Sequence, residues 1–293
     1  MMEFRRLYTA MVTPFDDEGN VDFKRIDRLL EHLVPQNTEG LVLTGSTGES
    51  PTLTFEEKIA IYRHVMDRVG DKTHVIAGAG GNVTADSITL SQAAEDFGVH
   101  GLMLVCPPYN KPGGRGLKAH FSAIADAVKL PIMLYNIPGR TGTDMAVSVT
   151  AELSKVDNIV AIKEATGNVD NVTRLLNECA DGFMVYSGDD PLTIPSMSVG
   201  AKGVVSVISH IAGNSMLKMI DSFESGKVGE AARMQRRLSP LIDAAFLAGN
   251  PAGIKTLLWR AGVGVGEVRL PLMMPSGAQG QRMDTLMKRY EGA

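Results

Sequence analysis

The residue in this chain with the clearest chemical promise is Lys163, set in the apolar run Val160-Ala161-Ile162-Lys163-Glu164-Ala165. Asn158-Ile159 before it and Thr166-Gly167-Asn168 after it are strand-entry and turn residues, so the run reads as a short strand buried on both faces. Lysine is almost never fully buried without a partner, and keeping its ammonium from water is expected to lower its pKa. Only the neutral amine attacks a carbonyl to form a Schiff base, which makes such a lysine a candidate nucleophile. The alternative is a lysine that snorkels to the surface from a strand end.

Four further groups have residue types that could serve that chemistry. In Gly45-Ser46-Thr47-Gly48-Glu49-Ser50, the glycines let backbone amides and two hydroxyls crowd around a small anion such as a carboxylate. The alternative is a plain turn leading into a helix. A nucleotide loop is excluded, because the lysine of a phosphate-binding loop is missing here, and Gly78-Ala79-Gly80-Gly81 and Gly262-Val263-Gly264-Val265-Gly266 lack the dinucleotide order. Tyr135 closes the apolar run Ile132-Met133-Leu134. Such a tyrosine is often structural, yet beside a Schiff-base lysine on the next strand its hydroxyl could shuttle protons as a carbinolamine forms and collapses. Arg140, in Pro138-Gly139-Arg140-Thr141-Gly142, is either a solvated arginine or a fork for a substrate carboxylate. Tyr109 lies in a loop braced by Pro107, Pro108 and Pro112, and marks a contact surface or a contribution to a neighbouring subunit's site.

The elements that must position these groups recur regularly. Eight apolar runs read as strands: Leu7 to Phe15, Gly40 to Thr44, His74 to Ala77, Gly101 to Cys106, Pro131 to Ile137, Ile159 to Ile162, Phe183 to Tyr186 and Gly203 to Ile208. Amphipathic helical stretches separate them, the first from Asp22 to Val34 and the second opened by the capping box Thr54-Phe55-Glu56-Glu57. Others fall near 84–97, 115–128, 146–155, 168–179 and 190–199. Strict alternation, with continuous hydrophobicity in the strands, predicts a parallel sheet covered by helices, closed into a (β/α)8 TIM barrel. The helical stretches Asn214 to Ser225, Val228 to Ala248, Pro251 to Ala261 and about Gln281 to Tyr290 exceed what one closing helix requires. The expected organisation is therefore a barrel over 1–225 and a C-terminal helical appendage over 226–293. In such a barrel the site is built at the C-terminal ends of the strands, where all the groups above fall.

Composition agrees with one large domain. The chain has 293 residues, 44% of them hydrophobic, against about 250 for an ordinary α/β barrel. A net charge of -4 and a pI near 5.9, with no basic tract, argue against nucleic acid or an anionic membrane as partner. Two cysteines, Cys106 and Cys179, have no metal-ligand spacing and cannot make a disulfide framework, which fits a reducing cytoplasm. The six histidines form no HExxH pair or His/Cys cluster, so no metal is expected. The N-terminal Met1-Met2-Glu3-Phe4-Arg5-Arg6-Leu7 has no following apolar core, and no apolar run reaches the ~18 residues of a membrane span. A cytoplasmic location is expected.

Taken together, Thr13-Pro14-Phe15, the 45–50 loop, Pro108-Tyr109-Asn110-Lys111-Pro112, Tyr135-Asn136-Ile137-Pro138-Gly139-Arg140-Thr141-Gly142, Ile162-Lys163-Glu164-Ala165, Ser187-Gly188-Asp189-Asp190, and Asn250-Pro251 through Arg269-Leu270-Pro271 resemble the dihydrodipicolinate synthase family, within the Schiff-base pyruvate lyases. The resemblance runs essentially end to end. It implies that Lys163 forms an imine with pyruvate, that the derived enamine attacks aspartate semialdehyde, and that cyclisation follows, in lysine and diaminopimelate synthesis. It further implies Tyr135 as acid and base in a relay with Ser46 and with Tyr109 from an adjacent subunit. Thr47, Gly188 and Val205 would bind pyruvate or its surroundings and Arg140 the second substrate's carboxylate. No cofactor is implied, since the protonated imine is itself the electron sink, and the implied assembly is a homo-oligomer, a dimer of tight dimers.

Two departures stand out. The relay position, usually threonine, is Ser46, whose χ1 is freer without the methyl. Lysine-inhibited members that this chain resembles carry histidines and a second tyrosine where Phe55, Lys58 and Pro108 stand here, beside retained Ser50, Asn82 and Asp86, so weak or absent lysine feedback is expected. The rival readings are another pyruvate-dependent aldolase, which Arg140 disfavours because it suits a short acidic aldehyde, and a catalytically silent barrel that binds small acids.

Overall fold

A computed structural model describes residues 4–36 and 38–292. Met1-Met2-Glu3, part of the stretch read above for targeting, lie outside the described residues. The strands are β1 (Leu7–Ala10), β2 (Gly40–Leu43), β3 (His74–Gly78), β4 (Gly101–Val105), β5 (Ile132–Asn136), β6 (Ile159–Glu164), β7 (Met184–Ser187) and β8 (Gly203–Ser206). They form a closed barrel in chain order, the (β/α)8 fold expected. Between them run α1 (Phe23–Leu33), α2 (Phe55–Val69), α3 (Thr84–Asp96), α4 (Gly113–Asp126), the single turn α5 (Pro138–Thr141), α6 (Val147–Leu153), α7 (Val169–Glu178) and α8 (Thr193–Ser198). After β8 come α9 (Ser209–Glu224), α10 (Val228–Phe246), α11 (Ala252–Arg260) and α12 (Gly277–Glu291).

Local chemistry sets the ends of these elements. The apolar run from Leu7 leaves the sheet at Ala10, and Phe15 instead gives its N–H to the Val265 carbonyl and bridges Val21 antiparallel. Pro14, which has no N–H to give, precedes that turn. The run from Gly203 stops at Ser206, whose hydroxyl accepts the Ser209 N–H and opens α9. Helix α9 therefore begins earlier than the periodicity predicts, and is kinked at Ala212, where φ is -123°. Asp22 caps α1 by accepting from the N–H groups of Lys24 and Arg25. The Thr54/Glu57 capping box forms at α2, and a second one, Ser276 with Gln279, starts α12 before the expected Gln281.

The chain groups into two compact units. One holds the N-terminal residues up to Arg6 with His74–Val205, and so carries β3 to β7 and most of β8. Parallel registers tie its strands, with Met103 beside Met133 and Tyr135 beside Lys163, and its core is made by fully buried strand residues such as Ile76, Leu104, Leu134, Val185 and Val204. The other holds Leu7–Thr73 and the chain from Ser206 onward, with β1, β2, α1, α2 and α9 to α12. Tyr8 pairs with Gly40 there, and Leu7, Leu43, Tyr62, Ile254 and Leu258 are buried. Strands buried on both faces explain why hydrophobicity is continuous along them rather than alternating.

Candidate active site

Lys163 sits inside β6, and β5 and β6 pair so that Tyr135 lies beside it in register. The side chain is buried, 5% exposed, and Nζ stands 4.3 Å from the centroid of the Tyr135 ring. The snorkelling alternative is thereby excluded: the amine lies against a phenol ring and not in open water. Gly188, just past β7, shows why the position needs glycine. A Cβ built there would come within 2.5 Å of the Ala165 Cβ and 3.0 Å of the Lys163 Cε. The backbone of Gly188 also donates to the Glu164 carbonyl at 2.7 Å, fixing it beside the lysine strand.

Carboxylates surround this part of the barrel. Glu164, next in sequence to Lys163, accepts from the Thr166 N–H at 2.8 Å and from the Asn136 amide at 3.2 Å. The same Asn136 amide reaches Asp144 at 2.9 Å, and the Asn136 carbonyl oxygen accepts from the Met145 N–H. Burial raises the Glu164 pKa, opposed by the bonds from Thr166 and Asn136 and aided by Asp144. Burial raises that of Asp189 too, opposed by the charge of Lys163. Cys106, at the end of β4, is pushed up to about 12 by burial and then by the charges of Asp144 and Glu164, so its thiol is no nucleophile.

Arg140 belongs to the single helical turn α5, where a rigid loop was expected; Pro138 starts the turn and Gly142, at φ 68°, ends it. The arginine side chain is exposed. Tyr109 is 88% exposed at φ 69°, its N–H held by the Thr141 carbonyl at 2.8 Å. Val205 is fully buried on β8. In this unit the structure thus brings Lys163, Tyr135 and Gly188 together and leaves Tyr109 turned outward.

The other unit carries the hydroxyl loop that follows β2. Ser46 is half-buried, and Thr47 is buried with its Oγ1 accepting from the Asn250 amide at 2.9 Å. The loop is bounded by Thr44 at φ 48° and Glu49 at φ 57°, both in left-handed backbone that non-glycine residues rarely adopt. Gly48 has backbone on every side: a Cβ would meet the Thr44 Cα at 3.0 Å and the Met11 carbonyl oxygen at 3.1 Å, while its own carbonyl accepts from the Thr13 hydroxyl. A plain surface turn needs none of these ties.

The model of the dihydrodipicolinate synthetase family matches residues 3–289. The chain belongs to the dihydrodipicolinate synthetase family. It is 48% identical over 287 residues to the 4-hydroxy-tetrahydrodipicolinate synthase of Moorella thermoacetica, covering 98% of each chain. The synthase of Bacillus subtilis is 48% identical over 273 residues, 93% of this chain and 94% of that one. A crystal structure of dihydrodipicolinate synthase from Bacillus anthracis superposes with a TM-score of 0.95 at 46% identity, covering 98% of this chain and 99% of that one. The synthase of Cyanidioschyzon merolae, crystallised with lysine bound, matches at a TM-score of 0.95 and 41% identity, over 98% of each.

Membership of the dihydrodipicolinate synthetase family agrees with the resemblance drawn from the motifs. The motifs contain Asn136 and Asn250 but gave them no role; the structure sets Asn136 with Asp144 around Glu164, Asn250 on Thr47, and Lys255 against Glu49. The last had a signal in the sequence: a lone lysine in the helical apolar stretch Gly253-Ile254-Lys255-Thr256-Leu257-Leu258, the same anomaly that exposed Lys163.

Proposed function

We propose that this protein is a 4-hydroxy-tetrahydrodipicolinate synthase, a lyase that condenses pyruvate with aspartate semialdehyde in lysine and diaminopimelate synthesis. The observation that carries the reading is a buried lysine amine 4.3 Å from a phenol ring on the adjacent strand, in a chain of this family. The Lys163 amine adds to the keto carbon of pyruvate, and loss of water from the carbinolamine leaves a protonated imine. A proton leaves the pyruvate methyl to give the enamine, with the lysine nitrogen taking up the electron pair. That enamine carbon bonds to the aldehyde carbon of aspartate semialdehyde, whose oxygen gains a proton. The substrate's amino group then attacks the imine carbon, closing the ring and releasing Lys163.

Tyr135 is the acid and base of these steps, in a relay with Ser46 and with Tyr109 of the partner subunit. Thr47 and the backbone near Val205 hold pyruvate, Gly188 leaves room for it, and Arg140 holds the carboxylate of the second substrate. The exposed Tyr109 on its proline-braced loop supports an assembly in which it enters a neighbour's site, a tight dimer paired into a tetramer. We take residues 1–225 as the barrel and 226–293 as its helical appendage, in a cytoplasmic enzyme; among the described residues no helix is long and apolar enough to cross a membrane.

Borohydride reduction in the presence of pyruvate is expected to add the mass of the reduced adduct to the peptide containing Lys163, and turnover with aspartate semialdehyde to appear in an assay coupled to the next reductase. No adduct would leave a silent binder of small acids. An adduct without turnover of aspartate semialdehyde would leave an aldolase of another substrate.

A further inference from the structure

The loop from Thr44 to Ser50 carries two non-glycine residues in left-handed backbone, a strained conformation that persists only where the surroundings over-determine it. At Thr44 the fixing contact is a hydroxyl pair with Tyr62 at 3.0 Å. Glu49 is fixed by charge. Its carboxylate meets the Nζ of Lys255 at 2.7 Å, both side chains being fully buried, and accepts from the backbone N–H of Arg269 at 2.9 Å. Lys255 in turn donates to the Glu267 carbonyl at 2.9 Å and lies 4.2 Å from the centroid of the Phe15 ring. Arg269 holds the turn just beyond the loop through the Thr52 carbonyl, and is itself paired with Glu57.

A buried ion pair is a poor way to gain stability, since apolar residues of similar volume are often as good or better, whereas removing one partner is severe. Its usual benefit is a fixed geometry. Here the geometry fixed is that of Thr47, whose hydroxyl oxygen accepts from the Asn250 amide at the start of the helix that carries Lys255. A hydroxyl that accepts this bond still has its O–H to donate, and donation is the polarity a carboxylate requires.

We infer that the Glu49–Lys255 pair is a positioning device for pyruvate, a second buried lysine that does no chemistry but holds the 44–50 loop so that Thr47 presents its hydroxyl proton to the substrate carboxylate. The inference rests on the reading above in which Thr47 binds pyruvate. Burial lowers the pKa of Lys255 to about 8 against the pull of Glu49.

Glu49→Gln keeps the shape of the side chain and removes the charge; Lys255→Met leaves the carboxylate buried without the ammonium that pairs with it. Steady-state kinetics of the full-length protein are expected to show the pyruvate KM raised about tenfold or more in Glu49→Gln and further in Lys255→Met, with the KM for aspartate semialdehyde and kcat at saturating pyruvate within about twofold of the parent. Thr47→Val checks the underlying reading and is expected to raise the same KM. If Thr47→Val raises it and a folded Glu49→Gln does not, or if Glu49→Gln lowers kcat with pyruvate KM unchanged, the positioning role is overturned. If Thr47→Val itself leaves the pyruvate KM untouched, the reading of Thr47 fails first and the inference with it.

Discussion

At the level of single residues, the site depends on small volumes as much as on reactive groups. Lys163 could not lie beside Tyr135 if the next strand end brought a side chain toward it, and Gly188 is what leaves that space. Gly188→Ala would force the Ala165 methyl or the Lys163 chain to move, and a displacement of about 1 Å at a reacting amine costs on the order of 10²-fold in rate. The expected result is a loss of that order in kcat/KM and in the rate of borohydride trapping, with the circular dichroism spectrum unchanged. His210 is a residue of the opposite kind, with a fixed proton and no reaction. Nε2 accepts from the Val12 N–H at 3.1 Å and Nδ1 donates to the Val207 carbonyl at 2.8 Å, an arrangement only the neutral ring satisfies. Burial, set against the Val207 bond and aided by His32, lowers its pKa to about 4. As pH falls below about 6.5 the unfolded chain takes up this proton before the folded one, so stability declines down to pH 4 and no further from this group. That shift is worth on the order of 3 kcal/mol. Thermal melts of the parent are expected to fall across pH 6.5 to 4 more steeply than those of His210→Gln.

Among the elements, the helix starts carry both order and function. Thr54 accepts from the Glu57 N–H at 3.2 Å, and the Glu57 carboxylate returns to the Thr54 N–H at 2.8 Å while also binding Arg269. The cap of α2 is thus joined to the segment whose backbone holds Glu49. Thr54→Ala removes one half of the box and leaves the Glu57–Arg269 pair, so a loss of about 1 kcal/mol is expected, seen as a drop of a few degrees in Tm with the pyruvate KM unaltered. The turn α5 is placed by Pro138 at its start and Gly142 at its end, which keeps Arg140 on a short, defined support.

For the molecule as a whole, the remaining issue is regulation. The resemblance drawn from the motifs implies that Phe55, Lys58 and Pro108 stand where lysine-inhibited members carry histidines and a second tyrosine, and Lys58 adds a cation whose pKa burial lowers. On that reading, repulsion by a second ammonium is expected to weaken lysine binding. Titration with lysine at saturating substrates is expected to give little inhibition up to millimolar concentration, with complete inhibition at sub-millimolar lysine contradicting it; the Cyanidioschyzon merolae synthase, crystallised with lysine bound, is the natural comparison.

Much of this was legible before any coordinates. Strand and helix alternation is written in residue types, because a strand buried on both faces must be apolar throughout, and a lysine inside such a strand is conspicuous wherever it occurs. The capping boxes, the glycine-bounded hydroxyl loop and the family motifs are likewise local patterns. The sequence by itself therefore determined the barrel and the family, and it marked Lys163 as the candidate amine. Only the tertiary structure decided how the groups meet: the Lys163 amine against the face of the Tyr135 ring, Gly188 against the Lys163 side chain, and Glu49 against Lys255, 206 residues apart by their numbers. Such pairs are chosen by strand register and helix packing, and no local pattern encodes the distance between two side chains that come from separate elements.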